Sequence, residues 1–277
     1  MALGVLQGIL LAGAIFASYS RDQSIGQTLL MAVAIALSIS IGGVKALISQ
    51  VVIHACAHPR SFSGFARLDH WLRALLCTAN LQNHRDYLVL HRFHHRFTNT
   101  ERDPNWLRPG TTWLSYVSTL FFRQIAFLTR PDYKQEFARI FPLSNRVRET
   151  AIKARSRIVR FCCEYSMTVS NIVLISGAVA AGFILLGPIG IFLAFCWWLA
   201  PVVVGQILIA DFAYRSHHGL PARADCKPYS GQDTWALRDG FVYRSVNWLT
   251  WGFYDHRAHH IKPSHSVWAS RELEDVR

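Results

Sequence analysis

Stretches nearly free of charge come in two pairs along this chain. Residues 2–19 (ALGVLQGILLAGAIFASY) are followed, after the polar SRDQSIG, by residues 27–53, an apolar run whose one charged position is Lys45. Residues 167–186 and 190–211 make the second pair, joined through LGPIG, whose Gly and Pro mark a turn. An apolar run of about 20 residues can cross the ~30 Å hydrocarbon core of a bilayer as a helix. The pattern therefore predicts an all-α integral membrane protein with four transmembrane helices in two hairpins. Segments 54–165 and 213–277 would form a histidine-rich helical cap on one side. Residues 112–128 (TWLSYVSTLFFRQIAFL) are also apolar, but Arg123 falls near their middle, so they are predicted to lie along the interface as an amphipathic helix. A cleaved signal peptide is the other reading of residues 1–19; the basic n-region of such a peptide is missing, and a second apolar run follows at once. With no internal repeat or low-complexity tract, the chain reads as one domain over residues 1–277.

Composition agrees with that pattern. Of the 277 residues 51% are hydrophobic and 17% charged, with a mean hydropathy of +0.19, which is too apolar for an ordinary soluble domain. The net charge of +12 is unevenly placed. Of 29 Lys and Arg, only Arg21 and Lys45 precede residue 54 and none falls in 166–212, which leaves 27 for the two cap segments. Loops this rich in Lys and Arg stay on the cytoplasmic side, so the cap and both termini are expected there. Basic residues that follow membrane topology instead of a reading motif exclude a nucleic-acid binder. The basic stretch 130–160 reads as a solvated surface that touches anionic headgroups. The six cysteines contain no CxxC pair, and five lie in or beside the cap segments, which predicts reduced thiols. Cys162 and Cys163 read as small interfacial hydrophobes in preference to acylation sites.

Chemistry concentrates in the histidines. Ten of the thirteen form clusters: HACAH (His54, His58), HRFHH (His91, His94, His95), SHH (His217, His218) and HRAHH (His256, His259, His260). On a helix, positions i, i+3 and i+4 share a face, so each HxxHH is expected to aim three imidazoles in one direction. The first cluster begins where the second apolar run ends and SHH begins where the fourth ends, which brings both to one boundary. Neutral imidazole suits iron, copper or zinc, and eight box histidines suit two ions better than one. A zinc hydrolase would want HExxH or cysteine ligands, and neither occurs. His70, His84 and His265 stand alone and read as exposed or locally hydrogen-bonded.

The order HxxxH, HxxHH, HxxHH, with HRFHHRFTNTERDPNW at the second box and HRAHHIKPS at the third, resembles the membrane fatty acid desaturase and hydroxylase superfamily, which includes carotenoid ketolases. The resemblance implies a non-haem di-iron centre held by histidines, O2 as oxidant, and two electrons from outside. It also implies an apolar substrate channel that opens toward the bilayer. A cytochrome b5 signature is missing and 17 residues follow His260, so a separate ferredoxin or cytochrome b5-type donor is expected. The chain departs from the family's usual pattern at Ala55, Cys56, Ala57 and Pro59 around the first box, at Asp255 before the third and at Ala258 within it. Desaturation of a fatty acyl chain on a lipid, CoA or acyl carrier protein is the leading function; hydroxylation or ketolation of a lipid or carotenoid is the alternative, and a non-catalytic membrane metal-binding protein the remote one.

Breaking an unactivated C–H bond needs a metal oxidant made from O2, which no side-chain acid or base replaces. With all-histidine ligation, neighbouring carboxylates would orient the rings, and Asp103, Asp211 and Asp255 are the candidates. Trp106, Trp235, Trp248, Trp251 and Tyr254 read as an interfacial aromatic belt in preference to a channel lining. The resemblance implies one ligand between the last apolar run and the third box, where His217 and His218 compete. A carboxylate at the end of an apolar run is expensive unless it faces a polar site, and Asp211 and His218, seven residues apart, eclipse on a helix of ~100° per residue. His218 is therefore the expected ninth ligand beside His54, His58, His91, His94, His95, His256, His259 and His260.

Overall fold

A computed structural model describes residues 2–18, 25–58, 62–142, 146, 149, 166–220, 244, 245 and 260. Among the described residues every regular element is helical. In chain order these are α1 (Ala2–Ser18), α2 (Ile25–Ala55), α3 (Ala66–Ala79), α4 (His84–Phe97), α5 (Trp113–Leu128), α6 (Pro131–Ile140), α7 (Ser166–Leu186) and α8 (Pro188–Ala194). A π-helical turn (Phe195–Leu199) then leads into α9 (Ala200–His217). Two stretches, Ile25–Ala55 and Pro188–His217, are long and apolar enough to cross a membrane, while Leu3–Ile15 and Asn171–Leu186 are shorter apolar helices. Four predicted crossings thus meet two helices of crossing length and two shorter ones.

The chain divides into two units. The first, Met1–Gln50 with Thr168–Ile209, turns apolar side chains outward: Leu29, Leu30, Ile184 and Leu185 are each at least 65% exposed, whereas Gln7 and Ser38 are fully buried. Its helices meet through small residues. A Cβ on Gly205 would lie 2.5 Å from the Ala46 Cβ, and one on Gly190 would lie 1.8 Å from the Gly182 carbonyl oxygen, so only glycine permits these approaches. A π turn disturbs the regular i→i−4 ladder. Here Gln7 Nε2 donates to the Trp197 carbonyl at 3.1 Å, and Lys45 Nζ donates to Gln7 Oε1 at 2.9 Å while lying 4.8 Å from the Trp197 ring centroid. The buried amide is thereby satisfied on both sides.

The second unit, Val51–Met167 with Ala210–Arg277, is built around α4. Asn83 caps that helix by accepting from the N–H groups of Arg85 and Asp86. Val89, Phe93 and Phe97, four residues apart, form one ridge, which packs on Phe127 of α5 and on Tyr133 and Phe137 of α6. Phe93 meets Phe127 edge to face at 5.2 Å, and the Tyr133 hydroxyl donates to the Asp86 carboxylate. The opposite side of α4 is left for His91, His94 and His95. Residues 113–128 form the expected helix, with Tyr116 and Phe127 buried and Leu114 and Phe122 exposed.

Candidate metal centre

The histidines on α4 serve two groups, not one. His91 and His95, at i and i+4, are about 40° apart around the helix, whereas His94 is about 100° from His95. The sequence expectation that HxxHH aims three rings together is corrected accordingly. In the first group His54, His91 and His95 bring ligand nitrogens within 4.8 Å of one another. His54 comes from the last turn of α2, its ring centroid 4.4 Å from that of His91. His58 joins from beyond the end of α2, with its Nε2 2.8 Å from His91 Nε2, which is itself 3.1 Å from His95 Nε2. The second group is His94, His217 and His260, all buried, with ligand nitrogens again within 4.8 Å of one another. The ring centroids of His217 and His260 each lie 5.0 Å from that of His94. The two groups adjoin where His95 stacks on His260 at 4.4 Å.

These donors fit metal ions. At the ~2.1 Å metal–nitrogen distance usual for imidazole, two ligands at right angles sit about 3 Å apart, which matches the spacings around His91. One proton on His91 Nε2 can serve only one of its two neighbours, while a cation serves every lone pair. Burial, helped by the Arg92 charge, pushes His58 down to about 4, so its imidazole is neutral at physiological pH and has a lone pair to give. His94 Nδ1 donates to Asp103 Oδ1 at 2.9 Å, which puts the ring's lone pair on Nε2. Asp103 is itself fixed by the N–H groups of Asn99 and Asn105 at 3.1 and 2.8 Å.

The register of α9 differs from the expected one. His217 is the residue that faces His94 and His260; His218 is exposed, tilted over the Tyr214 ring at 4.5 Å. The Asp211 carboxylate accepts from Trp113 Nε1 at 2.8 Å and from Arg215 Nε at 2.9 Å, so its polar partners are not histidines and its face is not the one turned to the cluster. The same seven-residue spacing applies one position earlier: Ala210 and His217 are 3% and 4% exposed. His70 and His84 lie outside both groups, His70 Nδ1 being 3.3 Å from Arg73 Nη2 and its ring edge-on to His84 at 5.5 Å. Asp255, His256, His259 and His265 lie outside the described residues, as do Trp235, Trp248, Trp251 and Tyr254.

Sequence reasoning passed over two neighbours of the site. Tyr87 stacks parallel to His91, 5.8 Å between centroids and 8° between planes; its position four residues before His91 was the available signal. Thr98 Oγ1 donates to the His94 carbonyl at 2.6 Å and lies 3.5 Å from His260 Nδ1.

The family model described as fatty acid desaturase matches residues 28–276. The chain belongs to the fatty acid desaturase family. The matched span holds all three histidine boxes and His217. No curated protein matches the chain.

Proposed function

We propose that this protein is a multi-pass membrane oxidoreductase that uses two irons, O2 and an external electron donor to introduce a double bond into a fatty acyl chain. The observation that carries the reading is the pair of adjoining all-histidine groups in a chain of the desaturase family. His54, His58, His91 and His95 would hold one iron, and His94, His217 and His260 the other, with His256 and His259 of the third box completing the set. When bound, the irons supply the oxidising power from O2 that cleavage of an unactivated C–H bond requires.

The chain's own residues position and shield that chemistry. Asp103 holds the Nδ1 proton of His94 and so fixes its tautomer and ring plane. Tyr87, flat against His91, restricts that ring's rotation. Burial of His94, His217 and His260 keeps bulk water from the second group. The outward apolar surface of the first unit and its long apolar helices favour a bilayer. Four crossings with both termini cytoplasmic follow from the Lys and Arg placement. The substrate is a lipid, acyl-CoA or acyl carrier protein chain, and a ferredoxin or cytochrome b5-type donor meets the basic cap. Mass spectrometry of lipids and pigments from an expressing host tests the reaction: loss of two hydrogens is the expected result, and a gain of oxygen would make the enzyme a hydroxylase or ketolase. Purified protein with neither iron nor O2 consumption would refute both.

A further inference from the structure

The first histidine box is only half helical. α2 ends at Ala55, so His54 sits on its last turn while His58 lies past a turn at Cys56 and Ala57. Both rings reach His91: His54 at 4.4 Å between centroids, and His58 from the turn, with Nε2 2.8 Å from His91 Nε2. The turn closes back on α2 through bonds from the N–H groups of Cys56, Ala57 and His58 to the carbonyls of Val52, His54 and Ala55. The next carbonyl, that of Cys56, lies past the end of the helix and accepts from Arg73 Nη1 at 2.6 Å.

Arg73 belongs to a helix turned inside out. α3 buries Asp69, Arg73 and Cys77 along one face, while Leu68, Trp71 and Leu75 are 48%, 70% and 67% exposed. Arg73 is only 6% exposed; burying its guanidinium is costly, and the two terminal nitrogens offset part of that cost while Nε has no hydrogen-bond partner among the described residues. One arm reaches Cys56 and the other reaches His70 Nδ1 on its own helix at 3.3 Å. A cation at this end of α2 also meets the negative end of the helix dipole.

We infer that Arg73 is a positioning residue for the group His54, His58, His91 and His95: by clamping the Cys56 carbonyl it holds the turn that carries His58 onto His91. The inference rests on the di-iron reading above. It acts through the backbone, so its signature is selective loss at one iron. The full-length apo protein in detergent is titrated with 57Fe, the bound iron is counted per chain, the two sites are resolved by Mössbauer spectroscopy, and the apo melting temperature is recorded. The wild type should take up two irons. Arg73→Gln, which loses the charge and the reach to Cys56, should hold one iron as the wild type does and the other about tenfold or more weakly, with one quadrupole doublet altered. Arg73→Lys, which keeps the charge on a single donor nitrogen and loses the two-armed fork, should recover part of that loss; if the Gln variant does not fold, the Lys variant is read for the same selective weakening. Unchanged doublets with two irons in Arg73→Gln, or equal weakening of both irons in whichever variant folds, would overturn the role of Arg73. A wild-type chain that binds fewer than two irons would overturn the di-iron reading instead.

Discussion

Replacing Asp103 with Asn exchanges one oxygen for an NH2 group at nearly constant volume, which isolates the hydrogen bonding around His94. Oδ1 of Asp103 accepts from His94 Nδ1 and the Asn105 N–H, and Oδ2 accepts from the Asn99 N–H. An amide offers one acceptor oxygen, so whichever way the substituted side chain is turned, its NH2 opposes a donor. Either the Asn99 N–H or the pair from His94 and Asn105 is left unmet. The side chain of Asp103 is 1% exposed, so water cannot stand in for the lost acceptor. A hydrogen bond to a charged group is worth about 1.5–3 kcal/mol, and loss of a partner behind a metal-ligating histidine costs about 10–100-fold in affinity, or about 1.4–2.7 kcal/mol. These two ranges agree. In one orientation His94 keeps an acceptor, but a neutral one in place of the carboxylate, and in the other it loses the acceptor as well, so Asp103→Asn should weaken iron binding at the His94, His217 and His260 group about 10–100-fold, while the group around His91 keeps its affinity. Stepwise 57Fe titration with Mössbauer detection measures both. Retention of both irons within about twofold of wild type would show that Asp103 does not set the ligand strength of His94.

His217→Ala should lose one iron and His218→Ala should keep both, as counted by elemental analysis of the purified variants, because only His217 is turned toward His94 and His260; the reverse result would place the register one residue later. Gly190→Val should destabilise the α7–α8 contact by about 1–3 kcal/mol or more, since a Cβ there would meet the Gly182 carbonyl oxygen at 1.8 Å, whereas Gly177→Ala, mid-helix with nothing within 4 Å, should melt no lower than wild type. Burial pushes the Cys77 thiol up to about 12, so at pH 8 roughly one thiol in ten thousand is ionised. Cys77 should resist maleimide until the protein unfolds, and rapid labelling of the native protein would contradict its placement.

What could be read in advance was whatever local spacing determines. The apolar runs 27–53 and 190–211 foretold α2 and the long stretch ending at His217, because an uninterrupted apolar stretch leaves a helix as the way to satisfy its backbone. The first two boxes were equally visible as a His pair and a His triplet, and of the third box His260 is the described residue. The division of HRFHH between two groups was also within reach, since the ~100° between successive residues separates His94 from His95; treating i+3 and i+4 as one face hid it. The expectation that His218 faces the cluster missed for a different reason. Asp211 was taken to need a polar site, and it has one, but its partners are Arg215 on the next turn and the indole N–H of Trp113, 98 residues earlier in the chain. The i, i+4 pair with Arg215 was a legible warning; Trp113 was not. Arg73 shows the limit most clearly. Nothing in ARLDHWLRALLCTA distinguishes it from Arg67 on the same helix, and only the break of α2 at Ala55 gives the Cys56 carbonyl a need that Arg73 meets. HACAH on an unbroken helix would have required no clamp, so the residue that holds the box becomes visible only once the helix is seen to end inside it.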